Sequence, residues 1–271
     1  MGPAKPYPTG NIPTLPEEIL DPIFSYLEPL PGSRAETNRL QRRTLAAILR
    51  ANKACYRIAY PYVYRNLLLS ELNGRYGLLL STLLGKPKLA REVRHITTDG
   101  ARIYIVPVSL QAFVQACPGL ESFMIARTLD VALPWHFLDL GDLLIEQGAK
   151  LQTLMLDLKV GCLREDKIER IGSLATLHQL RKLVLSEAVL FDWWPAPLRP
   201  PRTPYELSDL SSIFPASLEE LHIRDIINGN IQLAEVLVKL LVDPSFPSLR
   251  RASLTNRETW PNGFQWRPVD W

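Results

Sequence analysis

The sequence predicts an α/β chain, a small N-terminal helical module followed by an irregular solenoid of strand and helix units. Three observations predict it. An amphipathic stripe opens the chain, with Leu15, Ile19, Ile23 and Leu27 recurring every four residues, the spacing of one helical face. A pattern apolar-x-x-apolar-x-apolar then recurs six times from Val93 onward. Between its copies the apolar period changes to that of helices.

The chain has 271 residues, 46% of them apolar, and a net charge of +3. That is enough apolar material for a sizeable core, and too little charge for a surface built wholly for nucleic acid. Cys55, Cys117 and Cys162 stand far apart with no Cys-x-x-Cys pair. They form neither a disulfide framework nor a zinc site, and read as small apolar residues of a reducing compartment. Residues 1–12 read as a disordered tail. Met1 to Asn11 is rich in Pro and Gly and lacks the apolar core of a signal peptide. The longest apolar runs, Gly77–Leu84 and Val236–Val242, are too short to span a bilayer. A cytoplasmic or nuclear protein without a membrane partner is expected.

The helical module is expected over residues 13–70, with about three helices. Thr14 and Glu17 form a capping box at the first helix start, and Pro16 sits in the first turn, where its missing N–H costs nothing. Leu20 and Phe24 flank the apolar stripe. Pro22 removes a hydrogen bond in the helix interior, so a kink is expected there. A polar connection, Pro31 to Asn38, leads to a second periodic stretch of Leu45, Ile48, Leu49, Cys55, Ile58 and Ala59. Pro61 is expected to stop it. Periodicity alone also allows these helices to be no more than the cap of the following domain.

Two runs carry a family resemblance. Leu15-Pro16-x-x-Ile19-x-x-x-Ile23-Phe24-x-x-Leu27 resembles the opening of the F-box motif. Ala47 to Arg65 resembles its second half as found in F-box proteins of filamentous fungi, where an apolar segment, a Lys and a Pro-x-x-Tyr-Arg ending are usual. Here these are Lys53 and Pro61-Tyr62-Val63-Tyr64-Arg65. The resemblance covers roughly a fifth of the chain. It implies that Leu15, Pro16, Ile19, Leu20, Ile23, Phe24 and Leu27 dock a Skp adaptor.

The second domain is expected over residues 71–271. The six copies are Val93-Ile96-Thr98, Leu120-Phe123-Ile125, Leu151-Leu154-Leu156, Leu180-Leu183-Leu185, Leu218-Leu221-Ile223 and Leu249-Ala252-Leu254, spaced by 27, 31, 29, 38 and 31 residues. Turn signals such as Pro118-Gly119 precede several of them. Helical faces lie between: Leu110, Phe113 and Val114; Ile168, Ile171, Leu174 and Leu177; Leu233, Val236, Leu237 and Leu240. Strand then helix at a period near 30 resembles the leucine-rich repeat, whose units bury their apolar faces only by stacking. The Asn or Cys usual three residues after the last apolar position is replaced by Thr128, Lys159, Ala188, Ile226 and Arg257. The repeats are therefore expected to be irregular. An ordinary α/β domain is the alternative.

No motif for bond-making chemistry is legible. His95, His136, His178 and His222 make no metal-binding pair, and no G-x-S-x-G or G-x-G-x-x-G occurs. No cofactor is expected, and the chain is not expected to be an enzyme. Two basic clusters, Arg34 to Arg57 and Lys86 to Arg94, read as solvated faces or as contacts with an acidic partner. Nucleic acid is not the expected partner.

F-box helices ahead of leucine-rich repeats imply the substrate receptor of a Skp–cullin–F-box ubiquitin ligase, with an unidentified protein target. The alternatives are a non-ligase scaffold and a basic nucleic-acid-associated protein. The 38-residue gap holds Phe191 to Tyr205, with five prolines that forbid a regular helix. Its Trp193, Trp194, Arg199, Arg202 and Tyr205 are residue types that carry interface energy, so this loop is the expected target contact. The other reading is that the tryptophans fold back and seal the solenoid.

Overall fold

The computed structural model describes residues 15–28, 35–69, 76–98, 107–129, 137–160, 170–191, 210–226 and 231–256. The chain divides into two compact units, Met1–Asn66 and Leu67–Trp271. Residues 1–12, Thr14, Ile168 and the segment 193–205 lie outside the described residues, as do His136 and Cys162.

The first unit holds three helices, α1 (Glu17–Ser25), α2 (Ala35–Ile48) and α3 (Lys53–Arg65). Its core is Phe24, Leu45, Ala59 and Tyr62, flanked by Leu20, Leu27, Ile48, Leu49, Cys55, Ile58 and Val63. Asn52 caps α3, its Oδ1 accepting from the Cys55 N–H at 2.8 Å, an N-cap geometry that separates α3 from α2. Pro61, expected to end a helix, lies inside α3. The lost bond to the Arg57 carbonyl is offset on both sides of the proline. Ala59 and Tyr62 are buried. Tyr60 stacks on Tyr56 at 5.0 Å and meets Tyr64 at 5.1 Å across the proline. Pro22 likewise lies within α1, where the Ser25 hydroxyl donates to its carbonyl at 2.7 Å. The expected polar connection is shorter than Pro31–Asn38, since α2 begins at Ala35.

The second unit is α/β. Its strands are β1 (Asn66–Leu68), β2 (His95–Thr98), β3 (Ser122–Leu129), β4 (Thr153–Val160), β5 (Lys182–Ser186), β6 (Glu220–Ile226) and β7 (Arg251–Asn256). Among the described residues they form one open sheet in the order β1-β2-β3-β4-β5-β6-β7, and β2 to β7 pair in parallel. The helices are α4 (Tyr76–Gly85), α5 (Pro87–Ala90), α6 (Pro107–Ala116), α7 (Phe137–Gln147), α8 (Glu187–Leu190) and α9 (Ile231–Leu241). Parallel neighbours need a crossover between them. Among the helices, α4 packs on α6 and α6 on α7.

The repeated pattern sets the register. Ile96, Phe123, Leu154, Leu183, Leu221 and Ala252 lie directly opposite one another from strand to strand, and so do Thr98, Ile125, Leu156, Leu185, Ile223 and Leu254. The first apolar residue of each copy, from Val93 to Leu249, is buried. Its N–H donates to the carbonyl three residues earlier in all six copies, from Val93 to Ala90 at 3.3 Å through Leu249 to Phe246 at 3.1 Å. The residue after it links neighbouring strands. The carbonyls of Arg94, Glu121, Gln152, Arg181 and Glu219 each accept two N–H groups from the start of the next copy, at 2.7–3.2 Å. This ladder of main-chain bonds makes no demand on side-chain type.

One expected helix is not formed. Residues 170–180, carrying Ile171, Leu174 and Leu177, run as irregular chain and turns, although all three side chains are buried. The Ile171 N–H donates to the Val189 carbonyl at 2.9 Å and the Leu174 N–H to the Ile213 carbonyl at 2.7 Å. These bonds reach other segments instead of the helical carbonyl four residues back, and an apolar residue every third position serves that path as well as a helix.

Candidate functional site

The first candidate surface lies on α1. Its apolar residues divide into two rows. Leu20, Phe24 and Leu27 turn inward onto the unit's core. Leu15, Ile19 and Ile23 remain 53%, 49% and 46% exposed, and Pro16 is exposed beside them. The expected docking set is therefore split, with Leu15, Pro16, Ile19 and Ile23 at the surface and Leu20, Phe24 and Leu27 holding the helix in place. Tyr62 fixes α1 against α3 by donating its hydroxyl to Asp21 Oδ1 at 2.7 Å. Burial and this bond push the Tyr62 phenol up to about 12. Arg65 and Asn66 both donate to the Glu28 carboxylate, at 3.0 and 2.8 Å. The outward row is thus presented on a helix anchored at both its middle and its end. Tyr26 and Leu40, also exposed, add to the apolar surface of this unit.

The second candidate surface is the sheet face opposite the apolar register rows. Successive strand residues point to opposite faces, so Met124, Met155, Val184, His222 and Ser253 share this side. Three polar rows cross it. Lys182, Glu220 and Arg251 lie directly opposite one another on β5, β6 and β7. Glu220 pairs with Lys182 at 2.7 Å and with Arg251 at 3.1 Å. The Lys182 ammonium holds the Glu220 carboxyl below its usual range. Exposed pairs of this kind contribute about 0–1 kcal/mol, and their main effect is on register. In the next row His222 Nδ1 lies 2.6 Å from Ser253 Oγ across β6 and β7. Burial lowers the His222 imidazole below its ordinary value.

The third row is buried. Ser186 lies opposite Arg224 on β6, and Asp157 follows Leu156, which lies opposite Leu185 on β5. Asp157, Ser186 and Arg224 are 4%, 0% and 7% exposed. Arg224 donates from an Nη to Asp157 Oδ2 across the strand between them. Asp157 Oδ1 and the Ser186 hydroxyl are fully buried with no hydrogen-bond partner. An unsatisfied buried polar atom costs about 1–3 kcal/mol.

The signal for these three residues is the position directly after the last apolar one of a copy, not the position three residues beyond it. That nearer position is where Asp157, Ser186 and Arg224 stand, and strand alternation puts it on the face opposite the apolar rows. The candidate contacts Trp193, Trp194, Arg199, Arg202 and Tyr205 lie outside the described residues. Among the described residues no group of three or more His, Cys, Asp or Glu is placed to hold a metal ion, and no helix is long and apolar enough to cross a membrane. No protein-family model matches the chain, and no curated protein matches it.

Proposed function

We propose that this chain is the substrate-recognition subunit of a Skp–cullin–F-box ubiquitin ligase. Its first unit docks the Skp adaptor, and its second, a degenerate leucine-rich solenoid, holds a protein target. It supplies proximity and no bond-making groups, and it works in the cytoplasm or nucleus. The observation that carries this reading is the outward row of α1. Three large aliphatic side chains stand about half in water on a helix whose other apolar residues form a core, beside a Leu-Pro pair that resembles the F-box opening. A helix that offers an apolar row to a partner's groove is a recurring mode of recognition. The unreversed strand order and the in-register apolar rows support the solenoid, since a doubly wound sheet reverses its order at a switch point.

The test is co-purification of the full chain with a Skp adaptor. Wild type is expected to bind. Ile19→Arg with Ile23→Arg is expected to lose binding while keeping its helical circular dichroism, because both positions are exposed. Buried interface anchors of this type are each worth about 2 kcal/mol or more. A folded wild-type chain that fails to bind the adaptor removes the ligase reading.

A further inference from the structure

We propose that helices α4, α6 and α7 present a self-complementary surface whose partner is a second copy of this chain. The surface belongs to the second unit alone, so this pairing does not depend on adaptor docking.

Charge is graded across the three helices. α4 packs on α6 and α6 on α7, which sets α6 in the middle. Arg94 and Glu121 pair with each other at 3.4 Å. Apart from these, residues 76–93 carry a net charge of +2, from Lys86, Lys88 and Arg91 against Glu92. Residues 107–120 carry no charge, and residues 137–152 carry −2, from Asp139, Asp142 and Glu146 against Lys150. The three acids recur three and four residues apart, which lines them along one face of α7, and all three are exposed. Lys86, Lys88 and Arg91 are exposed as well. None of these six has an ion-pair partner among the described residues. By contrast Arg181, Lys182 and Arg251 each pair with a glutamate. Along α4 the exposed residues are Gly77, Leu78, Ser81, Leu84 and Gly85. None is charged, and Leu78 and Leu84 are 68% and 60% exposed. An outer face with two leucines and no charge is unlike the solvated face of a surface helix.

A second copy supplies what each edge lacks. A twofold contact joins each patch of one copy to the complementary patch of the other, twice. A twofold axis running along α6 lays the α4–α5 edge of each copy on α7 of the other. Cations then face acids in both contacts, Leu78 and Leu84 are removed from water, and uncharged α6 meets uncharged α6. Three helices about 15 Å long and about 10 Å apart offer roughly 450 Å² per copy. That is about half of what a standard interface buries on each partner, so the dimer is expected to be weak and sensitive to salt.

Sedimentation equilibrium of the full chain, from micromolar to submillimolar concentration, is the test. A monomer–dimer equilibrium is expected at low salt. Its dissociation constant is expected to rise about tenfold or more at about 1 M salt, where the Debye length falls to about 3 Å. Lys86→Glu with Lys88→Glu, and separately Asp142→Lys with Glu146→Lys, are each expected to stay monomeric, because like charges then face one another in both contacts. All four positions are exposed, and far-ultraviolet circular dichroism checks that each variant is folded. Mixed in equal amounts, the two variants are expected to pair with each other, because every contact then holds opposite charges. Ile19→Arg with Ile23→Arg is expected to dimerise as wild type does, which separates this surface from the exposed row of α1. The other occupant for a basic, apolar edge is an anionic membrane. A chain that stays monomeric and sediments with vesicles of phosphatidylcholine and phosphatidylserine overturns the proposal. So does a monomeric chain that ignores such vesicles, a charge-reversed variant that dimerises as tightly as wild type, or a failure of the mixed variants to pair.

Discussion

Single residues in this protein show how little the type of a side chain says until its surroundings are known. Tyr56, Tyr60, Tyr62 and Tyr64 follow one another on α3, yet they do different work. Tyr62 is buried and donates to Asp21, while Tyr56 is about half exposed at one end of a stack. The Tyr62 contact has a pH signature. Its folded value of about 12 exceeds the ordinary 10.0. Below pH 10 the phenol is neutral in folded and unfolded chains alike, and its stabilising bond is fully present. Between pH 10 and about 12 the unfolded chain loses the proton first, so stability falls as pH rises. Denaturation midpoints measured across this window should fall more steeply for wild type than for Tyr62→Phe. Parallel curves would show that the Asp21 bond has no share in the stability of α1. Cys117 makes the same point from the opposite chemistry. It is fully buried, and burial pushes its thiol up to about 12, so it acts as an apolar residue beside the turn that ends at Leu120.

At the scale of elements, the helices α1 and α3 both run through a proline that local rules would place at an end. Proline in a helix interior costs about 3 kcal/mol through the lost N–H and the clash with the preceding turn. In α3 the cost is offset by the Ala59 and Tyr62 burial and the tyrosine stack. In α1 Pro22 is exposed, and the compensation comes from Phe24 and Asp21 on either side of it. Pro22→Ala should therefore raise the stability of the first unit by up to about 3 kcal/mol, read from urea denaturation followed by helical circular dichroism. A loss of stability would mean that the proline ring itself makes a needed contact. The turns ahead of the strands are the other recurring element. At Gly148, which ends α7, an added Cβ would meet the Leu144 carbonyl at 2.1 Å, so this turn takes only glycine without backbone movement.

At the scale of the whole sheet, burial is uneven. On β4 and β5 both faces are covered: Leu154, Leu156, Leu183 and Leu185 on one side, Met155 and Val184 on the other. On β7, last in the strand order, Ala252, Ser253 and Leu254 are only partly buried. Each copy of the pattern bonds to the next by the same main-chain ladder, so differences in local stability should follow side-chain burial and distance from the edge. Native-state hydrogen exchange should find the slowest amides in β4 and β5 and faster ones in β7. Equal protection along the sheet would show that it opens as one block and not strand by strand.

The sequence by itself determined where six of the seven strands fall and how they register, while β1 lies in a stretch expected to be helical. The reason is physical: the first residue of each copy, buried from Val93 to Leu249, recurs as a repeat, and the copies from Val93 to Leu254 are the rows that pair in register. It also determined the amphipathic stripe of α1, because a period of 3.6 is a local property, but it joined the end of α2 and most of α3 into one stretch. Tertiary structure alone decided which residues of α1 face out, since Leu15, Ile19 and Ile23 look no different from Leu20 and Phe24 until α2 and α3 cover one side. It decided that Pro61 is tolerated and that residues 170–180 stay irregular, because the offsetting bonds come from distant segments. It alone brought Asp157, Ser186 and Arg224 into one row. They lie on three strands separated by loops of unequal length, and only the parallel pairing of those strands makes them neighbours.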